Sequence, residues 1–404
     1  MIGSRFITKR VAIKGAVYIS VVLLCMALAH YWVTQPLFWK KIPYRLQAYQ
    51  LAFTGVDCQP GSPQGLAGLL KYHALPDFAL AGQVFYINSQ GDRYGCRVAP
   101  DESSGDHYRL ASMTKAVTAH AVLKLAREGL LELDSHLLDY FPEVDVTALR
   151  DPRLKSVTVS HLLNHSSGFG GPFGSDNMVK QGETPWCPYD FRQLEKVRLA
   201  GRPGTNHVYS NVSYCLLGEV ISRVTGVPYR QYVKQHYLSG TKLDFVDGKY
   251  LPEEPDYDFI NDFKLGREYV NWLDFSALSS AAGLIGPPDA FAAMVWEHFH
   301  NDAGKLLNGP LVPGCGKGGV DRCYSWNFEL QFNSHGEAIA GVQEGYVPGA
   351  SSLLAITGEG QVLVWVAAGA AIADGHKEQL KSAVVEFMQS QGMEERLAGV
   401  SPAP

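Results

Sequence analysis

The sequence predicts an α+β fold: an antiparallel sheet built from N- and C-terminal strands, flanked by helices, with a mostly helical insertion and one N-terminal transmembrane helix. Three observations carry that expectation. Strand-like alternation appears near both ends of the chain beyond residue 45, and the middle holds short helical patterns broken by Gly and Pro. The C-terminal strand segments are joined by links short enough to impose antiparallel pairing. With 404 residues, 46% hydrophobic and 19% charged, the chain can bury a large core, which excludes disorder and a small disulfide-stapled scaffold.

The first forty-five residues set the compartment. Arg5, Lys9, Arg10 and Lys14 precede an apolar run from Ala16 to Val33, the pattern of an export segment. That run of 18 residues reaches the lower limit for a bilayer span. Tyr31, Trp32, Phe38 and Trp39, followed by Lys40 and Lys41, suit the interfacial belt of a retained anchor. Ala27-Leu28-Ala29 also resembles a cleavage site, and a cut after Ala29 would release a soluble secreted form. The anchored reading makes 1–45 a cytoplasmic stub, inner-membrane anchor and linker, and places 46–404 on the periplasmic side.

Gln83–Asn88 reads as a strand that turns at Gly91-Asp92 into a second near Tyr94–Val98. Ser112–Glu128 has helical periodicity through Val117, Ala121, Val122 and Leu125 and stops at Gly129. Residues 130–300 form the insertion. Strands return at Tyr324–Phe332, Ala338–Val342, Ser352–Ile356 and Gln361–Ala368, with turn signals at Asn333–Gly336 and Thr357–Gly360. Asp374–Gln391 is a final helix with Leu380, Val384, Val385 and Met388 on one face. A cleft is expected where the sheet meets the insertion.

Residues 1–45 carry seven Lys or Arg and no acid, so the formal net charge of −5 leaves the body at −12. A body this acidic argues against nucleic-acid partners. Beyond the anchor lie six cysteines, an even number for an oxidising compartment, and fifteen pairings are open. Cys315–Cys323, flanking Gly316–Gly319, and then Cys58–Cys96 are the favoured pairs, while Cys215 reads as a buried thiol. Nothing in the Cys spacing or beside Cys187 reads as a zinc site.

Ser-x-x-Lys puts a nucleophile and a base on one helical face and occurs twice, at Ser112–Lys115 and Ser239–Lys242. Ser112 opens an amphipathic helix, where unpaired N–H groups can meet an oxyanion, and its competing role is an ordinary N-cap. Tyr-x-Asn occurs three times, at Tyr86, Tyr209 and Tyr269. Only Tyr209-Ser210-Asn211 has a loop before it and a helix, Val212–Val224, after it. His161 and His165 stand four apart as in zinc metallopeptidases, but Leu162 replaces the needed Glu, so both read as structural. Gly168–Gly174 lacks the Lys-Ser/Thr ending of a phosphate cradle.

Taken in order, Ser112-Met113-Thr114-Lys115, His161-Leu162-Leu163-Asn164-His165-Ser166-Ser167-Gly168 and Pro203-Gly204 leading to Tyr209-Ser210-Asn211 resemble the serine β-lactamase and penicillin-binding superfamily. The likeness covers roughly residues 78–390 and is greatest to the class C β-lactamase-like branch. It implies that Ser112 is acylated, Lys115 and Tyr209 share proton transfer, and Asn211 positions Lys115 and substrate. It implies no metal and no cofactor. The third motif, Lys-Thr-Gly or His-x-Gly, falls on Gln343-Glu344-Gly345, so the substrate-binding cation is replaced by Gln343 with an acid, Glu344, beside it. The backbone N–H groups of Ser112 and Tyr346 would form the oxyanion hole. The expected activity is a membrane-anchored periplasmic serine hydrolase acting on a small-molecule or peptide ester or amide, the candidates being D-amino peptides, β-lactams and small esters. A non-catalytic penicillin-binding-like sensor is the alternative, although residues 1–15 hold no signalling domain. If the cation comes from elsewhere, Arg202 and Lys317 are the candidates.

Overall fold

The computed structural model describes residues 3–34, 36–75, 79–101, 104–170, 178, 184–257, 267–312, 315, 323–368 and 374–399. Eleven strands are present among them: β1 Val56–Cys58, β2 Ala81–Ile87, β3 Arg93–Val98, β4 Tyr108–Arg109, β5 Asp244–Phe245, β6 Leu284–Gly286, β7 Tyr324–Ser325, β8 Phe328–Phe332, β9 Ala338–Val347, β10 Ala350–Thr357 and β11 Val362–Ala368. The α-helices are α1 Gly3–Thr34, α2 Pro36–Thr54, α3 Leu66–His73, α4 Thr114–Arg127, α5 Val159–Leu163, α6 Asn211–Thr225, α7 Tyr229–Val233, α8 Ser279–Ala282, α9 Pro288–Phe299, α10 Ala303–Leu307 and α11 Asp374–Gly399.

Eight strands form one sheet in the order β1-β3-β2-β11-β10-β9-β8-β7. Every pairing in it is antiparallel. The N-terminal hairpin therefore sits beside the last strand, with Val364 opposite Phe85, which is the architecture expected from the sequence. A second, small sheet orders β4-β6-β5. Side-chain alternation splits the core between the two faces of the large sheet. Ile87, Leu354, Ile356 and Val364 pack toward α4, α6 and α9, whereas Val84, Leu353, Leu363 and Trp365 pack toward α3 and α11. Trp365 Nε1 donates to the Leu69 carbonyl at 3.1 Å, which satisfies the buried indole on the second face.

Three expectations need correction. Tyr324–Phe332 is not one strand but the hairpin β7–β8, because Trp326 and Asn327 take positive φ (46° and 84°) and reverse the chain. Ser112 does not open the α-helix: it lies in a 3-10 turn, Ala111–Met113, ahead of α4. Cys215 is not a lone buried thiol but is bonded to Cys187, tying α6 to the loop before it. The two favoured disulfides are present. Cys58 and Cys96 face each other across β1 and β3, and Cys315 is joined to Cys323. The glycines between that last pair, and Lys317, lie outside the described residues, as do Gly171–Gly174.

At the N-terminus, Val17–Thr34 of α1 is long and apolar enough to cross a membrane. Helix α2 runs through the boundary expected at residue 45 and buries Ala48 and Leu51 against the α3 side of the core.

One buried ion pair holds the strand that delivers Ser112. Arg109 on β4 donates from Nε and from an Nη to the two carboxylate oxygens of Glu254, at 2.8 and 3.0 Å, and donates again to the Lys249 carbonyl at 2.8 Å. Both side chains are 2% exposed, and the guanidinium lies 4.8 Å from the Tyr250 ring centroid. A buried charge that loses its partner is penalised far more than an intact pair is rewarded. Glu254→Ala should lower the unfolding free energy by about 3–5 kcal/mol, read as a lower urea midpoint, and adding Arg109→Met should recover part of the loss.

Candidate active site

Ser112 is presented by strained backbone. Ala111, fully buried, has φ 47°, a conformation L-residues avoid at a cost of about 1–3 kcal/mol, which surrounding packing must offset. Two contacts from the large sheet do so. Ser352 Oγ on β10 donates to the Leu110 carbonyl at 2.9 Å. Gly345 on β9 presses so closely on the turn that a methyl group there would collide with Ser352 Oγ and the Leu110 carbonyl and would stand 3.2 Å from Ser112 N. From the helical side, Leu284 N donates to Thr114 Oγ1 at 3.1 Å.

The Ser112 hydroxyl caps no helix. It accepts instead from Lys115 Nζ at 2.9 Å and from Tyr209 Oη at 2.7 Å. Lys115 has no exposed surface, and its ammonium also donates to Asn211 Oδ1 and the Ala281 carbonyl, each at 2.8 Å. Its charge sits 4.8 Å from the centroid of the Tyr209 ring. Tyr209, by contrast, is 40% exposed and borders the cleft. Lys115 and Tyr209 thus converge on the Ser112 oxygen, and Asn211 is linked to it through Lys115. Of the other motif copies, Ser239 and Lys242 are exposed, and Tyr86 lies in β2 with its hydroxyl 3.2 Å from Glu395.

The His161–Gly168 stretch builds the loop that carries Tyr209. His165 Nδ1 accepts from Ser210 N at 3.2 Å, its carbonyl accepts from Val208 N at 2.7 Å, and its ring lies 4.5 Å from that of Tyr209. Complete burial, with His207 and Lys115 nearby, holds the His165 imidazole well below the ordinary value, so it is neutral and free to accept. His161 accepts from Thr158 N in the capping box of α5. Both histidines thereby hold backbone. Ser210 in turn caps α6 through Ser213 N, which fixes Asn211 at its first residue.

The third motif lies on β9, which extends five residues past its expected end. Strand β8 leaves β9 after Val342, so Gln343–Val347 pair only with β10 and run beside the Ser112 turn. This brings Gly345 and then Tyr346, 39% exposed, next to the nucleophile. Gln343 borders the cleft but is 4% exposed and turns its amide back to the Glu344 carbonyl at 2.6 Å. Glu344, which also borders the cleft, projects from the opposite face of the strand, toward α11. Burial there would lower the Lys381 ammonium, but hydrogen bonds to Glu329 and Glu378 and the charges of Glu329 and Glu344 raise it above the ordinary value. Arg202 is exposed and does not border the cleft. Among the described residues, the cation that does is Lys377 on α11, which sequence reasoning missed because nothing in a C-terminal helix shows which turn meets the cleft. The Ala281 carbonyl was missed for another reason: a backbone acceptor leaves no mark on residue type.

The cleft encloses about 640 Å³ between β9, the Ser112 turn and the insertion, and Tyr269, Trp272 and Leu273 make much of its wall apolar. Residues 96–257 match the Beta-lactamase family. The chain is 27% identical over 370 residues to the putative fimbrial assembly protein FimD, serogroup D, of Dichelobacter nodosus, a match covering 89% of this chain and 92% of that one. Against protein flp of Staphylococcus aureus strain MW2, identity is 30% over 48% of this chain and 42% of the relative. Among solved structures, the D-amino acid amidase of Ochrobactrum anthropi SV3 superposes with a TM-score of 0.62 at 17% identity, covering 82% of this chain and 99% of the amidase. The D-stereospecific amidohydrolase of a Streptomyces species gives 0.56 at 23%, over 78% and 97%. With its Ser-x-x-Lys and Tyr-x-Asn motifs meeting at a single hydroxyl, this chain is similar to the Beta-lactamase family over residues 96–257 and shares the fold of these solved structures.

Proposed function

We propose that this chain is a serine hydrolase, anchored in the inner membrane with its 46–404 domain on the periplasmic side, that cleaves an amide or ester through an acyl-Ser112 intermediate. The observation that carries the reading is the Ser112 oxygen held by Lys115 Nζ at 2.9 Å and Tyr209 Oη at 2.7 Å. Once Lys115 has lost a proton through Tyr209 to the cleft, its neutral amine can take the Ser112 hydroxyl proton as the oxygen bonds to a carbonyl carbon. The Ser112 and Tyr346 N–H groups would receive the oxyanion, since the turn and residues Gln343–Val347 of β9 meet there. Tyr209, the carrier that reaches the cleft, would return the proton to the leaving amine or alcohol. Water then attacks the acyl carbonyl and releases the acid. Asn211 holds Lys115 in place throughout. Similar solved structures are named as an amidase, an amidohydrolase and a β-lactamase/D-alanine carboxypeptidase, which supports cleavage beside a carbonyl group. The anchor rests on Val17–Thr34. Intact-mass analysis after exposure to a fluorophosphonate, a penicillin and D-aminoacyl esters, with product release followed alongside, tests the reading, since a non-catalytic binding module or sensor would turn over none of them.

Ser112→Ala should lower kcat by on the order of 10³-fold or more while the chain still folds, with a lower thermal midpoint because buried Lys115 loses one of its acceptors. Full activity in that variant, with loss in Ser239→Ala, would relocate the nucleophile. A reporter enzyme fused after Pro404 should be active only outside the cytoplasm, and cytoplasmic activity would overturn the topology. With Gln343 turned onto its own strand, a matched neutral ester should show higher kcat/KM than a cephalosporin. A preference for the carboxylate that disappears in Lys377→Ala would instead assign the binding cation to α11.

A further inference from the structure

We infer that the outer face of α2 is a membrane-contacting surface, which lays the folded domain against a lipid bilayer. The inference rests on the reading of Val17–Thr34 as a span, and it concerns a different segment. Ile42, Leu46, Tyr49 and Phe53 are spaced by four, three and four residues, so on a helix advancing 100° per residue they fall within an arc of about 60°. They are exposed to 39%, 67%, 67% and 88%. The domain already holds another side of the helix, where Ala48 and Leu51 are buried with Leu66, Leu70 and Val98. Helix α2 is thus apolar on two sides, one docked to the core and one turned outward. An exposed apolar stripe of this kind marks a surface that meets a partner.

Its position in the chain identifies the partner as lipid. The apolar window of α1 closes at Thr34 and α2 begins at Pro36, so the stripe starts within about 12 Å of the end of the span, at a helical rise of 1.5 Å per residue. It then extends about 16 Å from Ile42 to Phe53. Exposed Arg45 lies along one edge and exposed Gln50 along the other. A cationic edge, a tyrosine at headgroup depth and large apolar groups beneath it are what an in-plane interfacial helix offers an anionic leaflet. The cohesion of the stripe with the domain, through Ala48 and Leu51, would fix how the domain sits on the bilayer.

The test uses the full chain reconstituted in vesicles of phosphatidylcholine and phosphatidylglycerol. An environment-sensitive fluorophore is placed at Leu46→Cys or Phe53→Cys in a Cys25→Ser background, at Leu130→Cys as an exposed control, and separately on native Cys25, the free cysteine within the span. Lipids spin-labelled near the headgroup should quench positions 46 and 53 about twofold more than position 130, while deep spin labels quench Cys25. Positions 46 and 53 behaving like 130 while Cys25 is quenched would overturn the inference and leave the anchor standing. Shielding from water without quenching would overturn it in favour of a protein partner or a second copy. Quenching at 46 and 53 without quenching at Cys25 would support a lipid-bound α2 and refute the span. Loss of quenching at both would refute both.

Discussion

A lysine ammonium with no access to water must find an acceptor for each of its protons, and Lys115 finds them on three separate pieces of chain. One is Ser112 Oγ in the turn below it, one is Asn211 Oδ1 at the start of α6, and one is the Ala281 carbonyl in α8. A buried cation short of one acceptor would be heavily penalised, so this single group sets the spacing of α4, α6 and α8. The rest of the helical side follows from that triangle. Thr118 bonds the Ser280 carbonyl at 2.7 Å, and Gly218 leaves room for Ser280, so α4, α6 and α8 close tightly around the ammonium.

The sheet supplies what the helices cannot: a rigid wall against which the Ser112 turn is held out of its preferred conformation. The positive φ at Ala111 persists because Arg109 is locked to Glu254 on one side, while Gly345 and Ser352 close on the other. The end of the β8–β9 pairing at Val342 is part of the same design, since a longer neighbour would occupy the edge that the turn needs.

Much of this was legible in the residues. Strand alternation and short turns fixed which segments pair, because a half-buried sheet writes its period into the sequence. The motif residues Ser112, Lys115, Tyr209 and Asn211 carry their chemistry in their side chains, and they were singled out from duplicate motifs by their loop and helix context and by the resemblance of the ordered set to a known family. What stayed hidden has no side-chain signature or depends on distant packing. The Ala281 carbonyl is backbone, Trp326-Asn327 is an unusual pair for a tight reversal, and Lys377 is one of several exposed-looking lysines until α11 is placed beside β9. The Cys187–Cys215 bond was hidden because a cysteine in a helical pattern looks the same whether it is packed or oxidised. Gln343 shows the converse limit. Its identity is plain, but only the structure shows its amide bonded to its own strand.

The pairing of β2 with β11 sets the order in which this chain can acquire its shape. Tyr86 Oη and Gln361 Nε2 meet across a separation of 275 residues, at the centre of the sheet. Closing so long a loop is entropically slow, and topologies dominated by such contacts reach the native state late. The N-terminal hairpin therefore waits for β11 to be synthesised and delivered before it has a neighbour on both sides. The nucleophile, framed by β9 and β10, is consequently assembled late, once the C-terminal strands have joined the sheet.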